Sequence, residues 1–226
     1  MKRNRFFSAK NIAYLAVLLA LVIVLQAVGG TVAIGPVSLN FTLIPIVLGA
    51  ILFGPVVGGI LGLACGIVVL VQVIIGAGFY AIIWAGNPAV TAITCLLKTT
   101  AAGVAAGFLY RLISKKNALV AVFVASGIVP VVNTTLFILG MLCMSKVLAD
   151  AFALSNVFVF ILVDLVTFNF FIEFAINLVF APALHRVVTV AERYIIGKKK
   201  GKLSVSEEAE EAAPEAKPEK TEPEQL

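Results

Sequence analysis

From Leu39 to Gly66 the chain reads LNFTLIPIVLGAILFGPVVGGILGLACG, without one charged residue. A run of this length and apolarity restricts the chain to burial deep inside a protein or to lipid. The run is cut once, at Gly54-Pro55. Before the cut, about 13 to 16 residues form one short helix in a 3.6-residue reading. After it, Gly58, Gly62 and Gly66 recur at i, i+4 and i+8, which places three positions without side chains on one helix face. In lipid such a face admits a neighbouring backbone, and the contact is van der Waals packing rather than hydrophobic exclusion. The tight join makes the two helices a hairpin, with Pro55 in the first turn of the second, where a missing N–H costs nothing.

Composition decides between the two environments. Apolar residues make up 61% of the chain and charged residues 13%, with a mean hydropathy of +1.09. A soluble domain carries about half apolar and a quarter charged residues. The apolar runs are too long for barrel strands and lack their period-2 alternation. Six runs follow one another, over 11–28, 39–54, 55–76, 88–112, 118–145 and 156–184. All but the short second one are near the ~20 residues that cross a bilayer. The expected fold is therefore an all-α membrane protein, a six-transmembrane-helix bundle.

Charge sets the orientation. Lys2, Arg3, Arg5 and Lys10 precede the first span, Arg111, Lys115 and Lys116 separate the fourth and fifth, and Arg186, Arg193 and Lys198–Lys202 follow the sixth. With six spans all of these share one face, which the positive-inside rule makes cytoplasmic. Both termini are then cytoplasmic. Up to Lys202 there are 15 Lys and Arg against 4 acidic residues, and beyond it 2 against 8. The resulting division is a basic N-terminus (1–10), a membrane domain (11–184), a basic juxtamembrane segment (185–202) and an acidic tail (203–226). The segment after Pro182 is expected along the inner headgroups. The tail has almost nothing to bury and is expected to be disordered. The first span is long enough to stay in the bilayer, so no cleaved leader is expected.

Cys65, Cys95 and Cys143 lie in apolar runs without metal-ligand spacing, and one His185 builds no metal site. No metal, cofactor or nucleic-acid partner is expected. GxxxxGK[ST] and HExxH are absent, as are rhomboid-type GxSx and paired-aspartate patterns, so the chain is not expected to be an enzyme.

Polar residues within the spans carry the functional signal, because they face a bundle interior or a cavity. At ~1.5 Å per residue, Lys98 lies roughly 15 Å below the outer face, Asp164 roughly 10 Å and Asn169 roughly 20 Å. Asn133 reaches about 22 Å from the inner face. These four are expected in one cavity open to the outside, with Asn40 from the start of the second span. Glu173 and Asn177 continue the Asn169 stripe more deeply. A pocket in which Lys98 meets an anionic group and the asparagines supply neutral hydrogen bonds is one reading. An internal ion pair of Lys98 with Asp164 or Glu173 is another, and a proton relay a third. Tyr80, Trp84 and Asn87, in the glycine-broken stretch GAGFYAIIWAGNP, read either as an interfacial anchor or as an aromatic lid.

The segments IPIVLGAILFGPVVGGILG (Ile44 to Gly62), LLKTTAAGVAAGFLYRLISKK (Leu96 to Lys116), VVNTTLFILGML (Val131 to Leu142) and FNFFIEFAINLVFAPALHR (Phe168 to Arg186) stand in order across the spans. In these the chain resembles the substrate-binding S components of energy-coupling factor (ECF) transporters, which capture vitamins. The resemblance implies an AxxxA docking face in the first span, matched by Ala16 and Ala20 and extended by Ala13. By its residues alone, that face is a close-approach surface, for docking or for internal packing. The resemblance also implies a transmembrane coupling subunit and two cytoplasmic ATPase subunits as partners, in a cell membrane that is a bacterial plasma membrane. Similar proteins often carry Arg at the position of Lys98, and Lys favours a point-charge contact over a bidentate grip.

The expected function is capture of a water-soluble vitamin or related metabolite from outside, released inward with the coupling and ATPase partners. An anion such as pantothenate or folate comes first because of Lys98, and riboflavin next. The alternative is a self-sufficient small secondary transporter or channel, for which no inverted repeat is visible.

Overall fold

The computed structural model describes residues 9–29, 33, 34, 37, 38, 40–77 and 79–211, with side chains over 12–29, 40–77 and 79–191. The chain divides into one unit through Val188 and another from Thr189. In the first, α1 (Ala9–Gly29) leads into a two-residue antiparallel ladder, β1 (Ala33–Ile34) with β2 (Val37–Ser38). Then come α2 (Leu43–Phe53), α3 (Pro55–Ile75), α4 (Phe79–Gly86), α5 (Pro88–Ile113), α6 (Ala118–Cys143), α7 (Ser145–Phe152) and the single turn α8 (Val157–Val159). A π-helical stretch, Phe160–Thr167, runs into α9 (Phe168–Glu211).

Five helical segments are long and apolar enough to cross a membrane: Ile12–Gly29, Pro55–Ile75, Pro88–Ile113, Ala118–Cys143 and Val157–Ala191. The second expected span is shorter than its 39–54 range. Helix α2 has 11 residues, about 16 Å at 1.5 Å per residue, roughly half of a bilayer core. The protein is a multi-pass, all-α membrane protein with one half-length helix beside the full-length ones.

Helices α3 and α5 form the centre, and the glycine stripe is the reason. A methyl group on Gly58 would run into the Gly103 carbonyl, one on Gly62 into that of Thr99, and one on Gly66 would stand 2.7 Å from that of Cys95. The backbones therefore meet, and Thr99 Oγ1 donates to the Gly62 carbonyl at 2.7 Å. The hairpin turns at Gly54, whose φ of 100° disfavours any other residue. The Arg111 guanidinium lies against it, and Tyr14 of α1 approaches Phe53 with ring centroids 6.5 Å apart. The Gly54 turn, the first half of α1 and the end of α5 thus share one end of the bundle, here the hinge end. At the opposite end Val147 of α7 packs on Gly86 of α4.

Two apolar clusters fill the interior. One, toward the hinge end, gathers Leu18, Val22, Ile46, Ala50, Leu61, Ala106, Val122 and Leu184. The other, at the opposite end, gathers Val73, Phe79, Ile83, Met141, Met144, Leu148, Ile161 and Leu165.

Three expectations about elements change. The stretch read as glycine-broken holds the eight-residue helix α4. Pro182 does not end the last span, since α9 continues through it; neighbouring groups in membrane proteins make good the hydrogen bond that proline removes. The second unit is helical to Glu211, although disorder was expected from Leu203. Glu, Ala and Lys, which recur there, are strong helix formers. Residues 212–226 of the tail lie outside the described residues, as do Lys2, Arg3 and Arg5.

Candidate functional site

Polar side chains are buried alongside the two apolar clusters. Gln26, Asn40, Thr42, Thr91, Thr94, Thr99, Asn133, Asn169, Glu173 and Asn177 are all buried. Ten polar residues withdrawn from lipid need partners or a cavity, and the structure supplies both.

The partners form a chain of hydrogen bonds around the start of α2. Gln26 Nε2 donates to Gln72 Oε1 at 3.0 Å, and Gln72 Nε2 donates back to the Gln26 carbonyl at 3.1 Å. Thr42 Oγ1 donates to Gln26 Oε1 at 3.3 Å, lies 3.0 Å from Cys65 Sγ and bonds Asn40 Oδ1. The Asn40 N–H donates to Glu173 Oε1 at 2.8 Å. One polar line thus ties α1, α3, the start of α2 and α9 together. The backbone before α2 has no helix of its own at that depth, so its N–H and C=O groups need such side chains.

Two cavities adjoin this line. The larger, about 570 Å³ including its mouth, is lined by Gln26, Asn40, Gln72, Tyr80, Thr91, Thr94, Lys98, Phe137 and Met141, with Val69, Val73, Ile83 and Cys95. The smaller, about 360 Å³, is lined by Asn40, Lys98, Asn133, Thr134, Phe137, Asn169 and Glu173, with Leu165, Val166 and Phe170. Asn40, Lys98 and Phe137 belong to both and form the shared wall. Lys98 is ten residues into α5 and Asn133 ten from the end of α6, so both lie about 15 Å from the end opposite the hinge.

Lys98 is half-buried, with Nζ 5.2 Å from the centroid of the Phe137 ring. Among the described residues it forms no ion pair, so the bundle-locking pair with Asp164 or Glu173 is not formed. A cation over an aromatic face is held by the ring quadrupole and keeps its donors for another group. Asn133 Oδ1 is buried without a hydrogen-bond partner, a state costing about 1–3 kcal/mol until a donor reaches it. The hydroxyls of Thr91 and Thr94 are turned back to the carbonyls of Ile83 and Val90, at 2.9 and 2.7 Å, which leaves their methyl groups as apolar lining.

Of the residues expected at the site, the structure brings Asn40, Tyr80, Lys98, Asn133 and Asn169 to these cavities. It does not bring the other three. Asp164 is exposed on the π-helical stretch, because depth along a helix fixes height and not side. Trp84 packs against the cluster opposite the hinge. Asn87 caps α5, its Oδ1 accepting the Val90 N–H at 3.1 Å. Sequence reasoning passed over Gln26, Gln72, Phe137 and Met141. The two glutamines were legible as uncharged polar residues inside spans, while Phe137 and Met141 gave no signal apart from the core. Glu173 was noted as intramembrane but not assigned to the pocket. Ala13, Ala16 and Ala20 are exposed on α1, opposite buried Leu18, Val22 and Gln26; internal packing does not occupy them.

Among the described residues no group of three or more His, Cys, Asp or Glu is placed to hold a metal ion. The arrangement is suited to binding, with a cation, a carboxylate, neutral amides and aromatic surface around a half-enclosed space. No curated protein matches the chain at a significant level. The family model of the ECF transporter substrate-specific component matches residues 10–185, the stretch that holds every residue of both cavities, and by that match the chain belongs to the family of ECF transporter substrate-specific components.

Proposed function

We propose that this substrate-binding subunit takes up a water-soluble vitamin or related small metabolite in the joined cavities around Lys98, and that an anionic group of the substrate meets the Lys98 ammonium. The observation carrying this reading is the position of Lys98, in the wall common to both cavities and without an ion-pair partner among the described residues. Pantothenate and folate, both anions, are the candidates, and riboflavin takes their place only if Lys98 meets no anionic group. Asn40, Tyr80, Asn133 and Asn169 supply the neutral contacts. Substrate enters from outside a cell membrane in which both chain termini face the cytoplasm. Release inward depends on a transmembrane coupling subunit, docked on Ala13, Ala16 and Ala20, and on two ATPase subunits.

The test is equilibrium binding by the purified chain. A charge-assisted hydrogen bond contributes about 1.5–3 kcal/mol, so Lys98→Ala should weaken binding roughly 10- to 100-fold. A Lys98→Ala variant that binds as tightly as the unaltered chain would remove the anion from the proposal. Uptake into proteoliposomes without any ATPase would replace the importer subunit by a self-sufficient transporter.

A further inference from the structure

A lysine ammonium and a glutamate carboxyl group face the smaller cavity without forming an ion pair. Lys98 Nζ is held over Phe137 at 5.2 Å, and Glu173 Oε1 accepts the Asn40 N–H at 2.8 Å. Both side chains line the same space of about 360 Å³. Asn133, 5% exposed, lines it too, and its Oδ1 has no hydrogen-bond partner. An ammonium only donates, whereas a carboxylate and an amide oxygen accept. The cavity therefore offers a cationic donor from α5, and acceptors from α6 and α9. Polar groups of opposite hydrogen-bonding sense held apart in a membrane interior carry a desolvation cost that a ligand touching both would offset.

We propose that the substrate is bipolar: a carboxylate for Lys98, joined to an N–H or O–H donor for Asn133 Oδ1 and Glu173. This rests on reading the joined cavities as the substrate site, and it narrows the class further than the positive charge does. A carboxylate without a donor leaves Asn133 Oδ1 unsatisfied. A donor without a carboxylate leaves the Lys98 charge unsatisfied. Either loss is a buried unpaired polar group, the kind of defect that discriminates strongly between ligands of similar size.

The test is calorimetric titration of the purified full chain in nanodiscs with three sets of probes. Pantothenate, folate and biotin join a carboxylate to N–H donors. Lipoate and nicotinate are carboxylates without a donor. Riboflavin, thiamine and pantothenol carry donors without a carboxylate. The expected result is saturable binding by a member of the first set, at least about tenfold tighter than any member of the other two, which is one lost hydrogen bond in a buried site. Lipoate or nicotinate as tightest binder overturns the donor requirement and leaves the anion reading of Lys98 standing. Riboflavin, thiamine or pantothenol as tightest binder overturns the carboxylate requirement together with that reading. No binding by any of the eight probes overturns both the bipolar class and the cavities as a vitamin site.

Discussion

Gln26 shows how much one uncharged side chain can organise inside lipid. Its carboxamide accepts from Thr42 and Cys65 and donates to Gln72, and its carbonyl accepts from Gln72 in return. Gln26→Leu would leave Thr42 and Gln72 short of partners. It should lower the stability of the purified chain by about 1–3 kcal/mol, read by thermal unfolding in detergent. Asn87 is a contrasting case. With its side chain committed to the first turn of α5, Asn87→Ala should cost about 1 kcal/mol of stability and leave substrate affinity unchanged; an affinity loss would return Asn87 to the binding site. The sequence reading placed Asn87 at the ligand, whereas its acceptor oxygen caps the helix that begins at Pro88. Gln26 and Gln72 escaped attention. A lone neutral amide in a span announces that it needs a partner, but the partner is 46 residues away, and spacing along one helix cannot name it.

Among the elements, the α3–α5 contact was the most legible. Glycines at i, i+4 and i+8 require a neighbour at backbone distance, and they found one. Which helix would fill the role was not legible, since the stripe specifies a face and not an occupant. The contact makes a paired prediction. Gly62→Ala puts a methyl group into the Thr99 carbonyl, where neither backbone can yield cheaply, and should destabilise by about 1–3 kcal/mol or more. At Gly127 the same methyl group would meet only the side chains of Phe174 and Leu178, at 3.5 Å or beyond. There the gain in helix propensity should make Gly127→Ala neutral or stabilising by up to about 1 kcal/mol. Equal melting temperatures for the two variants would contradict the close approach. Helix ends were less legible than faces. Pro182 looked like a stop because proline forfeits a backbone bond, yet within a membrane bundle that loss does not end α9.

At the scale of the whole molecule, counting residues from the ends of spans placed Lys98, Asn133 and Asn169 at compatible heights, and the structure gathers them at one cavity. Asp164 passed the same height test and is exposed, since azimuth depends on the wide π turns that no hydropathy pattern revealed. The proposed division of labour gives a further prediction. Ala16→Leu with Ala20→Leu alters an exposed face of α1 away from both cavities, so binding by the purified chain should persist while ATP-dependent uptake in cells falls to background. Loss of both together would place the alanines in folding rather than docking. The half-length of α2 has one more consequence. A full-length helix there would fill the bundle from end to end, and the region where Asn40 and Thr42 now meet Gln26 and Glu173 would be solid apolar core. The recess exists because one rod stops midway, so splicing three turns of leucine ahead of Leu43 should yield a sturdier bundle with nowhere to seat a cargo.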